Sequence, residues 1–354
     1  MRRRSALIIV HLLVPLLGSL CLAGSAGAKV IALFPIQNSA GDSAAASSID
    51  QILRFELSKY GSLVGPERIR DELRRLRVRS GDRAAPALLR LLGKELAADW
   101  LVSASLHDTE RRVVPRLTMS LRVYSSATGE LLWVGFRGAS GIDRRKVLGL
   151  GTIDEMEKLI PFAVRDLLEE LPTSAETSPH TGTQEDRKSS SRLGKVAVVP
   201  FGGSTKQWAT RNAGTVTEAV RAQLFRSGVV LVSPNLSHEI LRQQQSGRWE
   251  GVTARTWTAL HADAGADTIL TGEVETYEVG GSEFEPRPRV ALAMRLLDAR
   301  TGRILWTGSL ERGGWDGQGL LGLGRIRSRG ALTARMTEIL AGRLERAMSK
   351  NLRD

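Results

Sequence analysis

The strongest constraint in this chain is that it repeats itself. Residues 128–153 and 301–326 align without a gap and share 12 of 26 residues, including Gly141/Gly314, Asp143/Asp316 and Ile153/Ile326. Two copies of one folding unit are therefore expected, because a repeat of this length fixes the architecture before any local pattern is read. At 354 residues the chain is long enough for two domains of ordinary size.

The repeat extends in both directions. Each copy opens with an apolar, β-branched run ended by Pro, Lys29–Pro35 and Lys195–Pro200, which reads as a strand. Ile49, Ile52, Leu53, Phe55 and Leu57 in one copy, and Val216, Ala219, Val220 and Leu224 in the other, recur at helical spacing and are expected to cover one helix face. Short strands after Gly61 and Gly228 lead to Pro66 and Pro234 in the first turns of further helices, expected over Glu67–Leu76 and Asn235–Gln244. Asp99 and Asp267 each open a buried strand that starts a meander. Its second strands, Leu117–Tyr124 and Val290–Leu297, alternate at period two, which predicts one face packed on helices and the other partly exposed. Thr128-Gly129 and Thr301-Gly302 turn the chain into return strands ending at Trp133 and Trp306. A last amphipathic helix closes each copy, over Asp154–Leu171 and Arg329–Met348. The expected fold class is α/β, a mixed sheet with flanking helices, in two tandem units at 29–172 and 195–350. Between them, residues 173–194 are rich in Ser, Thr, Pro, Gln and charge, the composition of a flexible, disordered linker that would leave the orientation of the units variable.

The first segment reads as an address. Arg2, Arg3 and Arg4 precede the apolar run Ala6–Leu17, and small residues follow up to Ala28, the order of a secretory signal peptide (1–28) cleaved after Ala28. Cys21 is the only cysteine, and Leu20 stands where lipid attachment would need a small residue, so lipidation is disfavoured. A mature chain beginning at Lys29 has neither disulfide nor thiolate site. No later run is long and apolar enough for a transmembrane helix. The net charge of +12 comes from 41 Arg and 9 Lys against 38 acids. These bases are scattered rather than gathered on one stripe with aromatics, which speaks for a composition bias and against nucleic acid as a partner.

Val199-Pro200-Phe201, the run Gly265–Gly272 and the run Asp298–Trp306, with weaker counterparts in the first copy, resemble in order and spacing the curli-secretion-channel (CsgG)/LpoB/TolB amino-terminal group of bacterial envelope proteins. The resemblance covers most of the mature chain, in tandem. It implies a mixed α/β domain in the periplasm or peripheral to the outer membrane that acts by protein contact. The amphipathic hairpins from which a secretion channel builds its barrel are not found, since the one extra segment, Glu283–Pro288, is a loop extension by length. The β-propeller that follows the TolB amino-terminal domain is also absent.

Patterns for catalysis or cofactors are weak. The glycines from Gly319 to Gly324 lack the strand before and the Lys-Ser/Thr after that a phosphate loop needs, and fit a connection into the last helix. His261 reads as a helix-surface residue, and no His pair has metal spacing. Glu169 and Glu170 are adjacent and do not share a helix face. Glu273 and Glu275 share a strand face but have no matching pair in the first copy. The arginines from Arg68 to Arg79 alternate with Asp71 and Glu72, as on a solvated face. Trp133 and Trp306 suit core packing. Trp315 differs, because glycines flank it and a flexible loop would give its indole little cover. Together with Arg325 and Arg327 it is the candidate protein-contact set. The expected function is that of a non-enzymatic assembly or adaptor module, with no catalytic, metal or cofactor site, whose partners are envelope proteins or outer-membrane-associated complexes. A two-lobed solute-binding protein and a ring-forming, homo-oligomeric secretion-channel component are the alternatives.

Overall fold

A computed structural model describes residues 29–78, 81, 84–143, 151–172, 193–203, 207–244, 253–282, 285–319 and 324–350. Most of the segment 173–194, and so the linker itself, lies outside these residues. The first unit runs β1 (Lys29–Leu33), β2 (Gln37–Asn38), α1 (Ser43–Leu57), β3 (Gly61–Leu63), α2 (Pro66–Arg75), α3 (Pro86–Leu96), β4 (Trp100–Glu110), β5 (Arg116–Ser125), β6 (Leu131–Ser140) and α4 (Met156–Leu168). The second runs β7 (Val196–Val198), β8 (Gly202–Gly203), α5 (Gln207–Arg226), α6 (Pro234–Gln243), α7 (Ala254–Ala264), β9 (Thr268–Gly281), β10 (Pro286–Asp298), β11 (Ile304–Gly313) and α8 (Arg329–Lys350).

Both sheets are mixed. The first has the order β3-β1-β4-β5-β6, parallel at β3-β1-β4 and antiparallel beyond, with β2 against β4. The second has the order β11-β10-β9-β7, with β8 against β9. Where the first sheet has β3, the second keeps only a parallel bridge between Val196 and Leu231, so the strand expected after Gly228 is reduced to one rung. The repeated acids have one job in both copies. Asp99 Oδ2 accepts the Val30 N–H at 2.8 Å and Asp267 Oδ2 accepts the Lys195 N–H at 2.7 Å, which satisfies a donor at the start of the neighbouring strand.

In the first unit Asp42 caps α1 by accepting the Ala45 N–H at 2.9 Å. Ile49, Leu53 and Leu57, one turn apart, are fully buried with α4 against one sheet face. Helices α2 and α3 cover the other face over β1 and β4. Of the segment Glu283–Pro288, expected as a loop, only residues 285–288 are among the described residues. Pro286, Arg287 and Pro288 belong to β10 and pair with Gly281, Gly280 and Val279, so the extension lengthens a hairpin. Both proline positions lie near the strand's free beginning, where a missing N–H is tolerated.

The largest departure concerns how the units meet. Helices α5 and α8 lie between the two sheets. Their inner sides, with Val216, Val220, Met336 and Leu340, pack on the second sheet, while Ala219 and Ala222 pack against Val134 and Phe136 of β6. The meander face of the first unit, expected to be partly exposed, is thereby buried, together with Ser103, Ser105, Thr118 and Ser120. Arg329 at the start of α8 reaches Asp108 at 2.6 Å and Glu110 at 3.2 Å on β4. Tyr124 donates to Asn235 Oδ1 at 2.9 Å, and Asn235 Nδ2 donates to the Ala84 carbonyl at 2.7 Å. The variable orientation expected from the linker is corrected: side chains distant in sequence clamp the units to one another. Where a two-lobed binding protein would need a cleft, this seam is filled by packed side chains.

Candidate functional site: the indole platform at the end of β11

The identical residues after the return strands build one turn twice. Asp143 Oδ2 accepts the Ser140 N–H at 2.7 Å, and Asp316 Oδ2 accepts the Gly313 N–H at 2.8 Å. The next N–H, of Gly141 or Gly314, donates to the carbonyl of Pro115 (2.9 Å) or Pro288 (2.8 Å), and the carbonyl of that glycine accepts from Ile153 or Ile326 at 2.7 Å. Glycine is required there, since a Cβ would lie 1.9 Å from the Ile153 oxygen in one copy and 2.0 Å from the Ile326 oxygen in the other.

Inside this shared frame the copies differ at Ser140/Gly313, whose backbone N–H does the same job in both, and at the position between the glycine and the aspartate. Ile142 is buried in the first unit, whereas the second unit places Trp315 there, half-buried at the end of β11. The indole is better covered than the flanking glycines suggested. The Arg325 guanidinium stands 4.2 Å from the ring centroid and that of Arg287 stands 4.3 Å away. Nε1 donates to the Pro286 carbonyl at 3.3 Å. Cation–π contacts of this kind fix an indole without consuming its whole surface. Glu285 neutralises Arg325 from 3.7 Å, and Arg289 pairs with Glu311. Trp315, Arg287, Pro288 and Asp316 line a surface cavity of about 500 Å³.

The structure thus joins two of the three residues singled out in the sequence. Arg327 belongs elsewhere, within Coulombic reach of Asp143 in the first unit. Burial pushes the Asp143 carboxyl above the ordinary range, against the Ser140 N–H, Arg137 and Arg327, which favour its charged form. Arg287 is not evident from the sequence, because its segment has the length and composition of a loop extension and not of a strand. Its signal is the alternation Pro286-Arg287-Pro288-Arg289, which at period two places both arginines on one strand face.

The remaining sequence candidates take structural positions. Glu275 is the extra residue of a β-bulge, between the pairs Val274–Leu292 and Thr276–Ala291. The bulge brings both Val274 and Tyr277 to the buried side. His107 occupies the same bulge in β4. The exposed His261 has Nδ1 2.8 Å from the Ala266 carbonyl at the end of α7. Trp133 is buried in the first core and Trp306 packs half-buried on the second. On α2, Arg70, Arg74 and Arg75 pair with Glu67, Asp71 and Glu72 on the solvent side. The glycine-rich connection lies largely outside the described residues. Among the described residues no group of three or more His, Cys, Asp or Glu is placed to hold a metal ion, and no helix is long and apolar enough to cross a membrane.

Residues 175–311 match a family model described as the peptidoglycan-synthase activator LpoB. That match covers well under half of the chain and falls on the second unit. No curated protein matches the chain. Among solved structures, lipoprotein GNA1162 from Neisseria meningitidis is similar at 22% identity and a TM-score of 0.30, over 42% of this chain and 98% of that one. The hypothetical protein CT253 from Chlamydia trachomatis is similar at 16% identity and a TM-score of 0.31, over 44% and 97%. The LpoB C-terminal domain from Escherichia coli is similar at 17% identity and a TM-score of 0.26, over 33% and 87%.

Proposed function

We propose that this is an exported, non-enzymatic envelope protein that works in the periplasm by protein contact, its second unit binding and activating a peptidoglycan synthase. In this proposal the signal peptide is removed after Ala28, residues 29–172 and 195–350 are the two domains, and Trp315 and Arg325 contact the partner, with Arg287 beside them. The single observation that carries it is the exchange of a buried Ile142 for a half-buried Trp315 within the repeated turn. A fold gains little by replacing a buried aliphatic side chain with a partly exposed indole, whereas an indole held by guanidiniums beside a cavity is the kind of anchor that dominates interfaces. The similarity of residues 175–311 to the activator family supports the choice of partner class. The first unit then serves as a base, its meander face given over to holding α5 and α8.

The test uses residues 29–354 and a purified bifunctional peptidoglycan synthase from the same cell. Saturable binding and faster glycan polymerisation are expected, with binding weakened at least tenfold in the Trp315→Ala and Arg325→Ala variants. Absence of both binding and stimulation overturns the assignment.

A further inference from the structure

The contact between the units is heterologous, a sheet face on one against a helix pair on the other. Since both units carry that sheet and that helix pair, each molecule keeps one unused copy of each surface. The unused helix pair is α1 with α4, and the unused sheet face lies on β9, β10 and β11. A heterologous contact left open in this way propagates into rings or filaments unless something prevents it.

The repeat register locates what prevents it. In the used contact the backbones of β6 and α8 meet directly at Gly138 and Gly330. A Cβ on Gly138 would lie 2.2 Å from the Ala331 nitrogen, and a Cβ on Gly330 would lie 2.3 Å from Thr118 Oγ1 and 2.9 Å from the Gly138 Cα. Neither position accepts any side chain. Gly138 pairs with Thr118 across the sheet, and the corresponding pair in the second sheet is Glu311 with Ala291. Along the last helices, the buried series Leu159, Ala163 and Leu167 corresponds to Leu332, Met336 and Leu340, which puts Glu157 at the position of Gly330.

Both glutamates are exposed and held in place, Glu157 by Arg111 at 2.7 Å and Glu311 by Arg289. A second copy docking in the same geometry would bring two carboxylates together where the used contact has no room for a methyl group. The rest of the helix face has diverged in the same direction. Where α5 presents Ala219 and Ala222, α1 presents Ile52 and Phe55, the latter 63% exposed. Ser309 in place of Phe136 would leave space for Phe55, but that exchange does nothing for the helix–strand approach at Glu157 and Glu311. Gln51 stands in place of Glu218, so Arg295 would lack the carboxylate that Arg122 has.

We infer that this chain carries its own head-to-tail partner: the docking contact is internal, and Glu157 and Glu311 close the two remaining surfaces to further copies, so the exported chain is a monomer. The first measurement is light scattering on residues 29–354 after size exclusion, from low micromolar to the highest soluble concentration. One-chain mass throughout is expected, and any ring, dimer or concentration-dependent oligomer overturns the inference. The second installs the closing residue inside the used contact. Gly330→Glu in the full chain is expected to separate the units, seen as a larger radius of gyration and two unfolding transitions in place of one. A variant with unchanged scattering profile and melting temperature overturns it as well, because the glutamate would then be compatible with the contact.

Discussion

Arg122 on β5 and Glu218 on α5 are bonded twice across the seam, Nε to Oε2 at 2.7 Å and Nη2 to Oε1 at 2.5 Å, both side chains being nearly inaccessible. Arg221 shares the same carboxylate and donates to the Val198 carbonyl at 2.9 Å. Burial by itself would push the Glu218 carboxyl up, but the two guanidiniums outweigh it and hold it down at about 2. One carboxylate thus compensates two buried cations from different units.

Removing that carboxylate should therefore cost more than an ordinary ion pair. Glu218→Ala leaves both guanidiniums buried without their counter-ion, and a loss of about 3–5 kcal/mol is expected. Urea denaturation checks it. Combining Glu218→Leu with Arg122→Leu should recover part of the loss, since an apolar pair strands one cation fewer.

Acid should weaken the protein in two stages. His107 is partly buried with Nε2 2.8 Å from Ser120 Oγ, and desolvation, opposed by Glu218 and aided by Arg122, lowers its pKa from 6.5 to about 4. Between those values the unfolded chain binds a proton that the folded chain does not. Stability therefore falls as the pH drops through this window, by about 3 kcal/mol at most. Glu218, depressed from 4.5 to about 2, adds a second loss as the pH falls below its unfolded value. Denaturant midpoints from pH 7 to 3 measure both, and His107→Gln should flatten the upper stage alone.

Helix α3 ends at Ala97 with φ of 51°, and α7 ends at the equivalent Gly265 with φ of 63°. The left-handed conformation costs a residue with a Cβ roughly 1–2 kcal/mol, partly offset by the greater unfolded-state freedom of glycine. Ala97→Gly is expected to stabilise the first unit by about 0.5–1 kcal/mol, read as a higher melting temperature.

Trp315→Ala separates binding from folding. The indole loses two cation–π contacts and some partial burial, so a stability cost of about 1–2 kcal/mol is expected. Circular dichroism melts measure that cost. The effect on partner binding should be larger than the effect on stability.

Much of the fold could be read in the sequence because its signals are local. The four-residue spacing of Ile49, Leu53 and Leu57 determines a helix face wherever the helix is placed. Asp99 and Asp267 mark strand starts because each satisfies a donor on the strand beside it. Gly141 and Gly314 coincide because one turn geometry excludes a Cβ in both copies. The candidate site was only half legible. Trp315 stood out by its glycine neighbours, but its cover by Arg287 and Arg325 comes from a strand and a loop that meet only when the hairpin is built to full length.

By itself, the sequence determined the repeat, the order of the main strands and helices and the turns, all of which depend on residues within a few positions or on pairing within one unit. Tertiary structure alone decided which surfaces are inside. The meander faces of the two units share the same strand pattern, yet one is buried under α5 and α8 and the other is open. That choice rests on the approach of Gly138 to Gly330 and on the joining of Arg122 to Glu218. These contacts depend on the shape and charge of surfaces far apart in the chain, which no local period encodes.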